Sequence, residues 1–154
     1  MKFTNTAPTL PRPVGPPPWL GKIAEDATLE GAVLSRPVQG RENILALISH
    51  ARTLYEFQDY TYYGHCGNDF FFESYRSSVN GVAVDCSVLV HLNAEGEADS
   101  LLIHHYPLGA TLEFSRLMNE KFGDQFEDLY FNAAQADALA KDLRTGSDRL
   151  AKPV

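Results

Sequence analysis

Three side chains have the types and the spacing needed for acid–base chemistry: Glu73, Tyr75 and His105. Glu73 and Tyr75 are two residues apart in a segment predicted to be a β-strand, so their side chains share one face of the sheet. Predicted strand pairing places His105 on that same face. Because apolar surroundings disfavour the charged form of a carboxyl and raise its pKa, Glu73 is a candidate general acid or base. Tyr75 and His105 are candidate hydrogen-bond donors or proton relays.

The strands that must position these side chains are identified by alternating apolar residues. From Val82 to Leu92 every even-numbered residue is apolar, which is typical of a half-buried strand. An Asn-Gly pair before it predicts a two-residue hairpin that pairs Val79 with Val82. This register places Cys86 opposite Tyr75, Val88 opposite Glu73 and Val84 opposite Ser77.

The two neighbouring hairpins complete the predicted interior face. Pairing Leu92 with Glu97 puts His105 opposite Val84 and turns Leu101 and Ile103 inward. The preceding hairpin is compatible with two registers. Pairing Tyr63 with Asp69 turns inward Tyr55, Phe57, Asp59 and Thr61. A one-residue slip turns inward instead Gln58, Tyr60 and Tyr62.

An apolar cavity with a few polar groups on this face would have the makeup of a small-molecule site. The candidate ligand-binding residues are Asp59, Phe57, Phe71, Cys86, Val88, Leu101 and Ile103. Other interpretations stay open. Glu73 could pair with Arg76, Arg52 or a backbone donor at the sheet rim, His105 could be a structural group, and side chains could fill the interior.

Strands in a meander are predicted at about 55–63, 69–79, 82–92 and 98–106, and Pro107 ends the last of them. Helical spacing of apolar residues predicts one helix that opens at Gly40 and another over 108–122. Asn132 is predicted to cap a third helix that runs to about Arg144. Towards the N-terminus we expect a short helix or turn over 19–27 and a short strand over 28–34.

Composition excludes several classes of protein. A chain of 154 residues with 44% hydrophobic residues is expected to form one core. A net charge of −7 gives no electrostatic footprint for nucleic acid or an anionic membrane. No apolar segment approaches the roughly 20 residues that span a bilayer, and no signal-peptide core follows Met1, so we expect a cytoplasmic protein.

The cysteines do not predict a disulfide or a metal site. Cys66 falls in a predicted turn and Cys86 in mid-strand, too far apart for a disulfide. The adjacent pair His65-Cys66 offers two ligands where zinc usually takes three or four from the protein. We therefore expect neither a metal nor a cofactor.

Three stretches carry a resemblance to a known family: AEDATLE at 24–30, RPVQGRENI at 36–44 and VNG at 79–81. With the order strand, helix opened by Gly-Arg-Glu and four-stranded meander, they resemble the SnoaL-like branch of the nuclear transport factor 2-like superfamily over about residues 20–122. The resemblance implies an α+β fold of the ketosteroid isomerase-like, cystatin-like kind. In it, a curved antiparallel sheet, made of the meander plus a short N-terminal strand, is wrapped by helices into a cone.

We accordingly divide the chain into a proline-rich N-terminal arm over 1–18, a cone domain over 19–123, and a C-terminal helical extension and tail over 124–154. Two features depart from the family's pattern. Members usually begin with a long helix that closes the mouth of the cone, whereas this chain has the arm and a short segment around 19–23. Gly31 stands at the position of the general base of ketosteroid isomerase, and Val88 at that of its oxyanion-hole aspartate. No catalytic residue is therefore carried over from the family.

The sequence thus predicts a pocket protein that binds a small, mostly apolar organic molecule. If it is an enzyme, it would be a cofactor-independent isomerase, cyclase or hydrolase that uses acid–base chemistry at Glu73. The alternatives are a non-catalytic ligand-binding domain and a dimeric interaction domain. The opposite sheet face carries Phe70, Phe72 and Leu89, and the resemblance implies a homodimer through it. Coverage of that face by the C-terminal helix of the same chain is the other possibility.

Overall fold

The structure is a computed structural model that describes residues 8–150, and the side chains of all of these except residues 140 and 143–150. A 3₁₀ turn at Pro18–Gly21 leads into the first strand. In chain order the elements are then β1 (Ile23–Gly31), β2 (Val38–Gln39), α1 (Arg41–Leu54), β3 (Asp59–His65), β4 (Phe70–Val79), β5 (Val82–Leu92), β6 (Ala98–Tyr106), α2 (Leu108–Phe122) and α3 (Ala133–Leu150). Residues 1–7 of the predicted arm and 151–154 of the predicted tail lie outside the described residues.

The predicted α+β fold class is confirmed, with one difference in the sheet. The strand order is β2-β1-β6-β5-β4-β3, and β3 to β6 form the predicted antiparallel meander. β1, however, pairs with β6 in parallel, so the sheet is mixed rather than wholly antiparallel. Helix α1 separates β1 from the meander, and such a crossover allows β1 to run parallel to the strand that it joins.

The boundaries of β5, β6 and α2 agree with the sequence predictions, and α1 begins directly after Gly40 as predicted. The start of β3, however, was predicted wrongly. The strand was expected from about residue 55 but begins at Asp59. A non-local contact is the physical reason. The Glu56 carboxylate accepts hydrogen bonds from the Gly81 amide at 2.8 Å and from the Ser78 hydroxyl. This contact ties residues 55–58 to the β4–β5 hairpin as a loop.

The N-terminal region also differs from its prediction. A short helix or turn was expected over 19–27, but the 3₁₀ turn ends at Gly21 and β1 already begins at Ile23. Ile23 lies beside Ala98 of β6 and is buried, so tertiary pairing decides its conformation.

Helices α1 and α2 pack over one face of the curved sheet, and the core lies between these helices and the sheet. Its largest fully buried side chains include Phe114 and Met118 of α2, Ile44 and Leu47 of α1, and Leu101 of β6. None of the helices within residues 8–150 is long and apolar enough to cross a membrane.

The third helix begins where the sequence predicts. The Asn132 side chain accepts a hydrogen bond from the Gln135 amide at 2.9 Å, and the Gln135 side chain accepts one from the Asn132 amide at 3.0 Å. This reciprocal pair is a capping box. The helix runs past the expected end at Arg144 to Leu150 and packs against α2, with Ala136 buried.

Candidate functional site

A cavity of about 70 Å³ lies between the concave face of the sheet and helices α1 and α2. Such a volume is small beside the ~300–1,000 Å³ of pockets that hold drug-sized ligands, and it suits a compact molecule. Most of its wall is apolar and includes Leu29, Val33, Leu47, Ile48, Val88, Ile103, Phe114 and Met118. The polar or ionisable side chains in the wall are Trp19, Glu30, Arg52, Tyr55, Gln58, Tyr60, Glu73, Tyr75, His105 and Tyr130.

Regular periodicity brings these side chains together. On α1 the cavity-lining residues are Leu47, Ile48, Ala51 and Arg52, whose spacings of three and four residues place them on one helix face, and Tyr55 follows directly after the end of the helix. On β4, Glu73 and Tyr75 alternate with residues of the outer face. The predicted hairpin register is confirmed, because Glu73 lies opposite Val88 and Tyr75 opposite Cys86.

Glu73 is the buried ionisable group at the centre of the site. It is only 3% exposed, and its Oε1 accepts a 2.7 Å hydrogen bond from the indole nitrogen of Trp19. Burial raises the pKa of its carboxyl to about 7, although the Trp19 hydrogen bond and the charge of Arg52 act in the opposite direction. Both protonation states of Glu73 are therefore populated at neutral pH.

The partner of Glu73 is one that sequence reasoning missed. Three partners were considered for this carboxyl: Arg76, Arg52 and a backbone donor. Arg76 lies on the opposite face of the sheet, across from Asp85, while Arg52 influences Glu73 through its charge. Trp19 is 54 residues away in sequence, and the only signal for it was its position beside the expected mouth of the cone.

His105 lies deeper in the cone and is a neutral group. Its Nε2 is 2.6 Å from the Tyr55 hydroxyl, and its ring stacks on Phe114 with centroids 4.1 Å apart. Burial lowers the pKa of the imidazole to about 3, assisted by the charge of His104. His105 can therefore hydrogen-bond in the cavity as a neutral imidazole but does not supply a cationic acid near pH 7.

Tyr75 connects the two ends of the polar wall. It is buried between Tyr55 and Tyr60, with ring centroids 5.5 and 5.3 Å away. Burial raises the pKa of the Tyr75 phenol well above its usual value, so the hydroxyl keeps its proton. Tyr55 belongs to the first of the two β3 registers, but it lies before β3, directly after the end of α1, and lines the cavity from there.

The predicted ligand-binding residues fall into three groups. Val88 and Ile103 line the cavity. Phe71, Cys86 and Leu101 are buried in the core but lie outside its wall. Phe57 and Asp59 are exposed, so the expectation that they face the interior is corrected.

Register explains this correction. β3 pairs Tyr60 with Tyr75, and an irregularity between Tyr60 and Tyr62 then shifts the strand so that Tyr63 lies opposite Glu73. Gln58 and Tyr60 line the cavity, as the second of the two predicted registers has them. Tyr62, which that register also turned inward, is instead 39% exposed and lies opposite Ser74 on the outer face.

The β5–β6 register is also shifted. His105 lies opposite Cys86 rather than Val84, a change of two residues that keeps it on the interior face.

Solved structures share this fold at low sequence identity. A protein from Silicibacter pomeroyi DSS-3 with a cystatin-like fold is 16% identical, with a TM-score of 0.63 over 71% of this chain and 82% of that chain. A steroid delta-isomerase from Pseudomonas aeruginosa is 10% identical, with a TM-score of 0.62 over 68% and 77%. A de novo designed protein with a curved β-sheet is 13% identical, with a TM-score of 0.53 over 67% and 77%. The chain has the cystatin-like α+β cone fold. No protein-family model matches the sequence, and neither does any curated protein.

Gly31 stands at the position where the resemblance in sequence leads us to expect a general base. Gly31 lines the cavity where β1 runs beside β6, and a Cβ atom there would lie 2.2 Å from the backbone oxygen of Ile103. Any side chain at this position would require the two strands to move apart. The close approach of β1 and β6 therefore explains why residue 31 is glycine.

The mouth of the cone is bordered by the N-terminal segment. Pro17 and Trp19 line the cavity, and the Leu10 amide donates a 2.6 Å hydrogen bond to the backbone oxygen of Tyr60. The described part of the arm thus lies along β3, which is an edge strand of the sheet. Among the side chains that the structure describes, no cluster of three or more His, Cys, Asp or Glu residues could hold a metal ion.

Proposed function

We propose that the protein binds a compact, mostly apolar organic molecule in the cone and that Glu73 exchanges a proton with it. The observation that carries this proposal is the Glu73 carboxyl, which is buried in the wall of an apolar cavity and has a pKa of about 7. A general base works best when its pKa is close to the working pH, because it is then both partly ionised and basic enough to take a proton.

Proton abstraction next to a carbonyl group fits this wall. The Glu73 carboxylate would take the proton from carbon while the developing oxygen charge accepts a hydrogen bond from a protonated phenol. Tyr60 and Tyr75 are available for this, since burial keeps both phenols neutral. Return of the proton to a different carbon would complete an isomerisation. The Trp19 hydrogen bond would hold the carboxyl in one orientation.

Deuterium exchange into cyclohexanone tests this chemistry. In deuterated buffer at pD 7, the protein should speed exchange of the protons next to the carbonyl, followed by proton NMR. Glu73→Gln should reduce the exchange to the buffer rate. The exposed Glu25 provides a matched control, and Glu25→Gln should exchange as the wild type does. Equal exchange by Glu73→Gln and the wild type would contradict the proton-transfer role.

The second candidate function is ligand binding without turnover. It is favoured by Gly31 and Val88, which the resemblance in sequence places where ketosteroid isomerase has its functional carboxylates. Chemical-shift changes on addition of cyclohexanone would separate binding from catalysis. Ala51→Met should abolish binding by filling the cavity, whereas Val82→Met, at an exposed position outside it, should not. Binding with no exchange would favour this second function over the first, and binding that survives Ala51→Met would contradict the site.

We also propose that the protein forms a homodimer in which a second copy of the chain packs on the outer face of the sheet. Phe70 and Tyr62 are each 39% exposed on that face. The alternative cover was the C-terminal helix of the same chain, but α3 packs against α2, where Ala136 is buried. Sedimentation at micromolar concentration should give twice the 17.1 kDa chain mass, and Phe70→Glu should give the monomer. A wild-type monomer would contradict the dimer. The cytoplasmic location remains a prediction from the sequence.

A further inference from the structure

One end of the cavity carries polar groups that the fold itself does not use. Arg52, in the last turn of α1, lines the cavity together with Gln58 and Tyr60. Within the described part of the chain, neither the Arg52 nor the Gln58 side chain, nor the Tyr60 hydroxyl, has a hydrogen-bond or salt-bridge partner. Polar groups in a cavity wall without protein partners are available to a ligand.

The positive charge of Arg52 acts on this end of the cavity. It lowers the pKa values of Glu73, Tyr60 and Tyr63, against the stronger effect of burial in each case. Its guanidinium is therefore close enough to influence all three groups while forming a salt bridge with none of them. This placement is favourable for a ligand that carries a compensating negative charge.

The hydrogen-bonding capacity of these groups selects the kind of ligand. A guanidinium has only donors, arranged as a planar fork that matches the two oxygens of a carboxylate. The Gln58 amide and the Tyr60 hydroxyl can add further donors. We propose that Arg52 binds the carboxylate of a small organic acid whose apolar body occupies the cavity. This inference rests on the proposed function, since it assigns a substrate class to the same cavity.

Glu73 makes binding of an acid depend on pH. A bound anion favours the neutral form of Glu73, so binding should take up a proton at this carboxyl when the pH is above about 7, and Glu73 would then give a proton to the bound acid before taking one back. The groups that face Glu73 from neighbouring elements are the Trp19 indole, the Arg52 cation, the phenols of Tyr60 and Tyr63 and the Cys86 thiol. The Tyr60 and Tyr63 phenols and the Cys86 thiol do not ionise near pH 7, because burial raises their pKa values. Above pH 7 the affinity for the acid should therefore decrease with pH, and the decrease should approach a factor of ten for each pH unit.

A pair of matched probes tests the proposal: 3-methylbutanoate and 3-methylbutan-1-ol. Binding is followed by the fluorescence of Trp19, the one tryptophan of the chain and part of the cavity wall. The wild type should bind the acid at least tenfold more tightly than the alcohol at pH 6. Arg52→Gln should lose about tenfold or more in affinity for the acid and keep its affinity for the alcohol. Lys22→Gln, at an exposed site outside the cavity, should behave as the wild type.

Each remaining outcome has a distinct meaning. If the alcohol binds the wild type as tightly as the acid, or if Arg52→Gln weakens both ligands equally, the carboxylate site is wrong while the proposed apolar pocket stands. If neither probe binds and cyclohexanone does not bind either, the proposed function fails as well. Arg52→Lys, which keeps the charge but loses the planar fork, should fall between the wild type and Arg52→Gln. Wild-type affinity of Arg52→Lys for the acid would overturn the fork geometry.

Discussion

Glu73→Gln should make the folded protein more stable than the wild type at pH 8. The Glu73 carboxyl has a pKa of about 7 in the folded protein, compared with an ordinary value of 4.5 in the unfolded chain. The folded state therefore holds its proton more tightly than the unfolded state does. The stabilisation by the protonated form is fully present below pH 4.5, falls as the pH rises and is lost above about pH 7.

The size of the effect follows from the shift in pKa. The difference between about 7 and 4.5 corresponds to about 3 kcal/mol at 1.36 kcal/mol per pKa unit. Glu73 is almost completely buried, so solvent screening reduces this value little. Gln has the same shape and keeps an oxygen acceptor for the Trp19 indole, but it never carries a charge. The variant should therefore avoid the cost of ionising a buried carboxyl.

Urea unfolding of both proteins at several pH values between 5 and 8 measures this cost. The free energy of unfolding of Glu73→Gln minus that of the wild type should increase with pH and level off near pH 8. Taking the difference cancels other titrating groups, such as Glu113, whose pKa is lowered by its hydrogen bond from Arg116. Glu25→Gln, at an exposed site outside the cavity, controls for the loss of one carboxylate from the chain. A difference that is constant from pH 5 to pH 8 would refute the reasoning, as would one that decreases.

Three further predictions concern single side chains. Trp19→Phe removes the hydrogen bond to Glu73, so the pKa of that carboxyl should rise by about one unit or more, as measured by carbon-13 NMR. Gly31→Ala places a methyl group against the Ile103 oxygen and should lower the free energy of unfolding by about 1–3 kcal/mol in urea. The exposed Cys66 should react with Ellman's reagent in the folded protein, while the buried Cys86, whose pKa is raised to about 12, should not.

Each of these predictions has a control or a contradicting result. Replacing Trp19 with 3-benzothienylalanine keeps the indole shape but puts sulfur in place of the N–H group, and it should raise the pKa of Glu73 without admitting water. An unchanged pKa in that variant would show that the hydrogen bond is unimportant. Gly21→Ala, where no atom lies within 4 Å of the added carbon, should be no less stable than the wild type, and a Gly31→Ala protein equally stable would contradict the clash. Two reactive thiols in the folded protein would contradict the burial of Cys86.

Local signals in the sequence were sufficient for the elements that build most of the cone. The Asn-Gly turn at 80–81 and the alternation on either side of it predicted the β4–β5 register correctly, and hence that Glu73 points inward. The apolar spacing on α1 and α2 predicted both helices. In each case the residues that determine the structure are close together in the chain.

The features that were missed depend on contacts between distant residues. The hydrogen bond from Trp19 to Glu73 joins residues 54 apart, and no local pattern indicates it. The start of β3 depends on the contact of Glu56 with the β4–β5 hairpin, and its register depends on the irregularity after Tyr60. Asp59 was placed in the site because a regular strand was assumed there, and one irregularity is enough to turn a side chain to the other face.

The ionisation of Glu73 is the most direct test of the proposed chemistry. Carbon-13 NMR of the wild type labelled at glutamate, with Glu73→Gln to assign the signal, would give the pKa of this carboxyl. We predict a value of about 7, caused by burial in the cavity wall. A value near 4.5 would show that Glu73 is in contact with solvent and would contradict its role as a general base.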